Sequence, residues 1–164
     1  MHRSPQRWSR WTLPLVALFA LVWLPSLRAQ RGSDVAVVVH PGVGVENLTL
    51  GELRRVMLGD RGFWPANVRV TLLIRAPVAH ERDVILKTVC AMTEAQFRQH
   101  WIAKVFRADT VVAPKIVYST DMAMDLVTRT PGAITVVDPS QVPRTLKVVK
   151  IDGRAPGEAG YALR

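Results

Sequence analysis

The chain has 164 residues, about half of them apolar, which is enough for one domain with a real core and excludes a disordered chain. Its formal charge is +9, but four of the 22 basic side chains (Arg3, Arg7, Arg10, Arg28) fall in the first 29 residues, where there is no acidic one; the remaining 18 basic and 13 acidic groups leave +5. A single cysteine, Cys90, excludes an internal disulfide.

The N-terminus narrows what a basic chain binds. "MHRSPQRWSR" is a basic head, Trp11–Pro25 is an uncharged apolar run, and Ala29 is a small residue at the end of "SLRAQ". This is the three-part pattern of a Sec-type signal peptide over 1–29, which leaves 30–164 as a single domain that is periplasmic or secreted. The alternative is an uncleaved membrane anchor, for which the run is short against the roughly 20 residues of a spanning helix. An exported protein rarely meets nucleic acid, so the basic balance points to small anions or an anionic envelope partner.

Val35–His40, "VAVVVH", reads as a buried strand, and "PGVGVEN" as a loop. Thr49 with Glu52 three residues on is a capping box that opens a helix carrying Leu50, Leu53, Val56 and Met57 on one face, stopped by Gly59. Val68–Arg75 reads as a second strand. After it, Val78, Ile85, Val89 and Met92 are spaced for a helix face. Thr93 with Gln96 caps another helix, expected to bury Phe97, Trp101, Val105 and Phe106. "KIVYS" is a third strand; Ser119 or Thr120 caps a short helix carrying Met122, Leu126 and Val127, with Asp125 and Arg129 paired on its wet side. "TPG" breaks that helix, "AITVVD" and "LKVVKIDG" are the last strands, and Tyr161 and Leu163 are candidates to dock the tail. Strands alternating with helices predict an α/β fold: three layers, a mostly parallel sheet, and helices on both faces.

Few of the reactive residues are arranged for chemistry. His40, His80 and His100 lack metal-ligand spacing, and "HERD" lacks the second histidine of a metalloprotease helix. No "GxSxG" elbow occurs, and Cys90 lies in an apolar stretch as a buried thiol would. No enzyme, metal or cofactor is expected. "HPGVGVEN" follows the first strand as a nucleotide loop would, but lacks the lysine–hydroxyl pair of a P-loop. Trp64 follows Gly62 and Phe63 in a turn, placed to pin the loop or to wall a ligand. "LIRAPVAHERDVI" puts Arg75 at a strand-to-helix junction, where helix N–H groups favour an anion.

Taken together, "LTLGELRRVMLGDRGFWPANVRVTLLIR", "FRQHWIAKVF" and "VTRTPGAITVV" resemble, in order, segments of the phosphate ABC transporter substrate-binding family, over most of Val35–Leu163. The resemblance is to its short, single-domain members. It implies one lobe of a type II periplasmic binding protein, a small oxyanion such as phosphate as ligand, and an ABC transporter as partner. Where full-length members carry a serine-glycine-threonine turn after the arginine, this chain has Ala79, His80 and Glu81; where they carry glycine-tyrosine after the proline-glycine turn, it has Thr135 and Val136. Two readings follow. In one, Arg75 anchors an oxyanion, with Gly42, Gly44, Asn47 and Thr49 as further donors and Ala79, His80 and Glu81 at the altered turn. In the other, the chain is an envelope protein-interaction module that kept the fold, lost the ligand, and docks through its basic surface or an apolar rim near Phe63 and Trp64. Neither reading fixes an oligomeric state.

Overall fold

The computed structural model describes residues 34–109 and 112–164, so the expected leader over 1–29 lies outside the described residues. Among the described residues six strands, β1 (Ala36–Val39), β2 (Asn47–Leu48), β3 (Thr71–Arg75), β4 (Lys115–Val117), β5 (Ala133–Val137) and β6 (Lys147–Ile151), form one sheet in the order β2-β6-β1-β5-β3-β4. β1 is antiparallel to both its neighbours, β5 and β6, while every other pair is parallel. Five strands therefore point one way around a single reversed strand near the centre. β1 and β5 are buried along their whole length, which is why they read as unbroken apolar runs rather than alternating ones.

The strand period of two sends side chains into separate cores. Val37, Val39, Ile74, Ile134 and Val136 belong to one core, covered by α1 (Leu50–Met57), by α2 (His80–Val84) with the π-helical turn Ile85–Cys90 that continues it, and by α3 (Glu94–Phe106). Ala36, Val38, Leu73, Ala133 and Val137 belong to the other, covered by α4 (Thr120–Arg129). Sheet and helices thus form the three layers expected.

The capping signals in the sequence produce the helices they predict. Thr49 accepts from the Glu52 amide at 3.2 Å while the Glu52 carboxylate accepts from the Thr49 amide at 2.9 Å, and Thr93 and Gln96 repeat the exchange. Ser119, not Thr120, caps α4 through the Met122 amide at 3.1 Å, and Asp125 and Arg129 pair as expected. In the tail, Val35 donates its amide to the Leu163 carbonyl, and the Tyr161 hydroxyl donates to the Val35 carbonyl at 2.8 Å.

Five expectations are corrected. β2 has two residues, too short for any periodic signal, and adds a sixth strand. β3 begins at Thr71, because the Val70 amide is taken by the Gly62 carbonyl at 2.9 Å and Arg69 bridges Phe63. Val78 joins no helix face; it stands fully exposed in a turn at φ 67°. On α4, Met122 is exposed, Leu126 is half-buried, and Ala123, Met124 and Val127 form the buried face. On α3 the buried side chains are Phe97, Trp101 and Lys104, leaving Val105 and Phe106 exposed. The physical reason is polar: Lys104 reaches back to Asp60, and His100 Nε2 meets the Leu58 carbonyl at 2.9 Å, so the turn after α1 fixes the rotation of α3.

Candidate functional site

Arg75 ends β3, and the chain turns over Ala76–Ala79 into α2. The turn closes with the Ala79 amide donating to the Ala76 carbonyl at 3.3 Å, with Pro77 and Val78 at its centre. That geometry normally takes glycine where Val78 stands. Ala79 is the N-cap residue of α2 and has no side chain able to cap it. His80 is exposed at the first helical position.

The Arg75 guanidinium is almost fully inside, with 13% of its side chain exposed, and Glu81 beside it shows 12%. Arg75 Nε and Glu81 Oε2 are 3.6 Å apart, an ion pair too long to be a hydrogen bond. Nε and Nη1 of Arg75 are buried without any hydrogen-bond partner. A buried N–H that makes no bond forfeits its hydration, at a cost of order 1–3 kcal/mol and more for a charged group. The corner thus holds a cation whose donors are incompletely used, with a carboxylate of the protein's own on its near side.

Arg82, which the sequence reading passed over inside "HERD", holds this corner in place. It is buried, it donates Nε and Nη2 to the two carboxylate oxygens of Glu94 at 2.7 Å each, and it donates Nη1 to the Arg75 carbonyl at 2.7 Å. Its guanidinium also lies over the Phe97 ring at 5.6 Å. A short basic-acidic run carries no hint of this, because the partner, Glu94, arrives only when α3 packs.

The loop residues do not converge on Arg75. β2 and β3 stand four places apart in the sheet, which at the usual strand spacing is about 19 Å. Asn47 spends its side-chain oxygen on the Gly153 amide at 2.7 Å, and Thr49 spends its hydroxyl capping α1. Gly42 donates its amide to His40 Nδ1 at 3.0 Å, and Gly44 faces open space. Ala79, His80 and Glu81 do stand beside Arg75 in the chain, and Glu81 contacts it. Trp64 is a pin: it is buried and its Nε1 donates to the Gly132 carbonyl at 2.8 Å. Cys90 is buried, and burial pushes its thiol up to about 11. Among the described residues no three histidine, cysteine or carboxylate side chains cluster as a metal site would.

This mixed sheet with helices on both faces has the fold of solved phosphate receptors. The chain aligns with a substrate-binding protein assigned to phosphate ABC transport from Clostridium perfringens, solved with phosphate bound, at a TM-score of 0.60 and 19% identity, over 75% of this chain and 46% of that one. It aligns with an ABC-type phosphate transport receptor from Vibrio cholerae at 0.60 and 17%, over 75% and 48%, and with PstS from Borrelia burgdorferi at 0.62 and 14%, over 79% and 53%. The fold is that of a phosphate-receptor lobe. The chain spans about half the length of these receptors, and at such identities the likeness speaks for the fold alone. No family model matches the chain, and no curated protein matches it by sequence. Among the described residues no helix is long and apolar enough to cross a membrane.

Proposed function

We propose that the protein is an exported, non-enzymatic, solute-binding-like protein of the phosphate-transport type, with a degenerate oxyanion site at Arg75. The observation that carries this reading is the pair of buried Arg75 nitrogens without hydrogen-bond partners, at the strand-to-helix corner of a phosphate-receptor fold. Glu81 makes the site degenerate: its carboxylate sits where it competes with an incoming anion for that charge. An ABC transporter or another envelope protein is the proposed partner. The basic head and apolar run support export, with cleavage after Ala29. N-terminal sequencing of the envelope fraction tests that step, and full-length protein found only in the cytoplasm would overturn it.

Titration calorimetry with inorganic phosphate on the wild type, Arg75→Ala and Glu81→Thr tests the site. Arg75→Ala is expected to abolish whatever binding the wild type shows. Glu81→Thr is expected to strengthen it by about 1.5–3 kcal/mol, the range of a charge-assisted hydrogen bond, which is on the order of tenfold to a hundredfold in affinity. No heat from the wild type or Glu81→Thr at millimolar phosphate would leave the corner a turn. The second reading, an interaction module without a ligand, would then lead. Its supporting observation is an apolar groove between α3 and β4; of the rim expected near Phe63 and Trp64, Trp64 is buried and Phe63 alone is exposed, under the Arg69 guanidinium.

A further inference from the structure

The anchoring of α3 by His100 and Lys104 leaves that helix with a second stripe, Arg98, Ile102, Val105 and Phe106, one face round from the buried one. With Ala113, Pro114 and Ile116 of the β4 segment it walls a groove of about 460 Å³, floored by Ile74, Phe97 and Trp101. Ile102, Val105, Phe106 and Ile116 are 52%, 46%, 87% and 43% exposed. Singly exposed apolar side chains are ordinary; four that line one groove form a contiguous patch, which is what an interaction surface presents.

β4 is also an edge. It is the last strand of the sheet, and among the described residues nothing pairs with its outer side. The Val117 carbonyl accepts from the Ala76 amide at 2.9 Å, so Val117, and by alternation Lys115, turn their backbone groups inward to β3. Ile116 therefore turns both its N–H and its C=O outward. Tyr118, one residue past the strand, is 73% exposed.

We propose that β4 and the outer stripe of α3 form a two-fold interface between two copies of this chain, with the β4 strands pairing antiparallel about Ile116. The register is self-complementary. Ile116 faces Ile116 of the other copy as a doubly hydrogen-bonded pair, Lys115 faces Val117, and Tyr118 faces Pro114. Pro114 and Tyr118 form the next hydrogen-bonded pair; Pro114 has no N–H, so only the bond from the Tyr118 amide to the Pro114 carbonyl forms, and the Tyr118 carbonyl stays with solvent at the end of the ladder. No lysine meets a lysine. The four groove side chains and Tyr118 contribute about 600 Å² of surface per copy, against the roughly 1,000 Å² in total that a specific interface needs. The inference does not depend on Arg75 or on any ligand.

Sedimentation velocity on the protein as purified from the envelope of producing cells tests it. The wild type is expected to dimerise at micromolar concentrations. Phe106→Asp puts a charge in the groove at an exposed site, and Ile116→Pro removes the outward N–H together with part of the groove wall, at a place where an edge strand tolerates proline. Each is expected to weaken the dimer by about tenfold or more while the denaturation midpoint, read at concentrations where the wild type is monomeric, stays close to that of the wild type. Ile116→Cys is expected to give a disulfide-linked dimer on mild oxidation faster than Lys150→Cys, an exposed site on β6, which has a strand on either side. A wild type that stays monomeric, a dimer that survives both substitutions, or equal cross-linking of the two cysteine variants would each overturn the proposal.

Discussion

Trp64 and Gly132, 68 residues apart, are joined by a 2.8 Å hydrogen bond from the indole Nε1 to the glycine carbonyl, inside the core. The same carbonyl accepts the Thr71 amide at 3.0 Å, so it ties the loop before β3 to the turn before β5. Trp64→Phe keeps most of the apolar bulk and leaves that carbonyl its second donor. The expected loss is about 1–2 kcal/mol in a urea titration. Gly132→Ala should cost more, because its φ is 76° and a Cβ would stand 2.0 Å from the Arg69 carbonyl oxygen. If the glycine variant is the milder of the two, the turn is not held as described.

Trp101 packs edge-on against Phe97 at 6.3 Å and His100 at 6.1 Å, and its ring lies where a Cβ on Gly59 would have to go. Its Nε1 is buried and makes no hydrogen bond. Trp101→Ala should therefore destabilise by roughly 3–5 kcal/mol, the range for a large buried aromatic. Trp101→Phe should cost clearly less, since it removes an unsatisfied N–H along with the lost volume. Equal midpoints for Trp101→Ala and the wild type would show that α3 does not pack through this ring.

Arg82 is buried while its partner Glu94 keeps 41% of its side chain exposed. Glu94→Ala leaves the cation inside with only the Arg75 carbonyl and the Phe97 ring. Loss of one partner of a fully buried pair costs roughly 3–5 kcal/mol; water reaching the vacated Glu94 position should hold this case to about 2–4. Phosphate calorimetry on the same variant checks whether the corner at Arg75 loosens with it.

Val78 is a β-branched residue held at φ 67° with its side chain wholly in solvent, so it gains nothing from burial to offset the strain. Val78→Gly is expected to stabilise by about 1 kcal/mol, raising the thermal midpoint. An unchanged or lowered midpoint would mean that the turn relaxes at no cost.

The Cys90 thiol is raised from its ordinary 9.0 to about 11 by burial, with the Arg54 charge opposing. The native protein should not react with a thiol reagent at neutral pH, and the unfolded protein should react at once. Because the folded pKa is the higher one, this group's contribution to stability is complete below pH 9 and is lost as the pH rises towards 11. Glu52 runs the other way. The Thr49 amide and then its hydroxyl hold that carboxyl below 4.5, so the capping box supports α1 above that pH and weakens as the pH falls through the lowered value. NMR titration of Glu52 should show its pKa rise towards 4.5 in Thr49→Ala.

The sequence by itself determined the features whose physics is local. Capping boxes at Thr49 and Thr93 are completed within four residues, the valine run of β1 needs only a strand's period, and the alternation of strands with helices dictates a layered α/β fold. The motif order also carried the likeness to phosphate receptors that the fold then bore out. Everything that depends on which segments meet was decided by tertiary structure. Helical spacing allows both Lys104 and Val105 to face inward; Asp60, 44 residues away, selects the lysine and turns Val105 and Phe106 out into a groove. The reversal of β1 between β5 and β6 is a matter of topology, to which side-chain periodicity is blind. The same topology sets Asn47 and Thr49 four strands from Arg75, so residues that sequence order made plausible partners for one anion are kept apart by the width of the sheet.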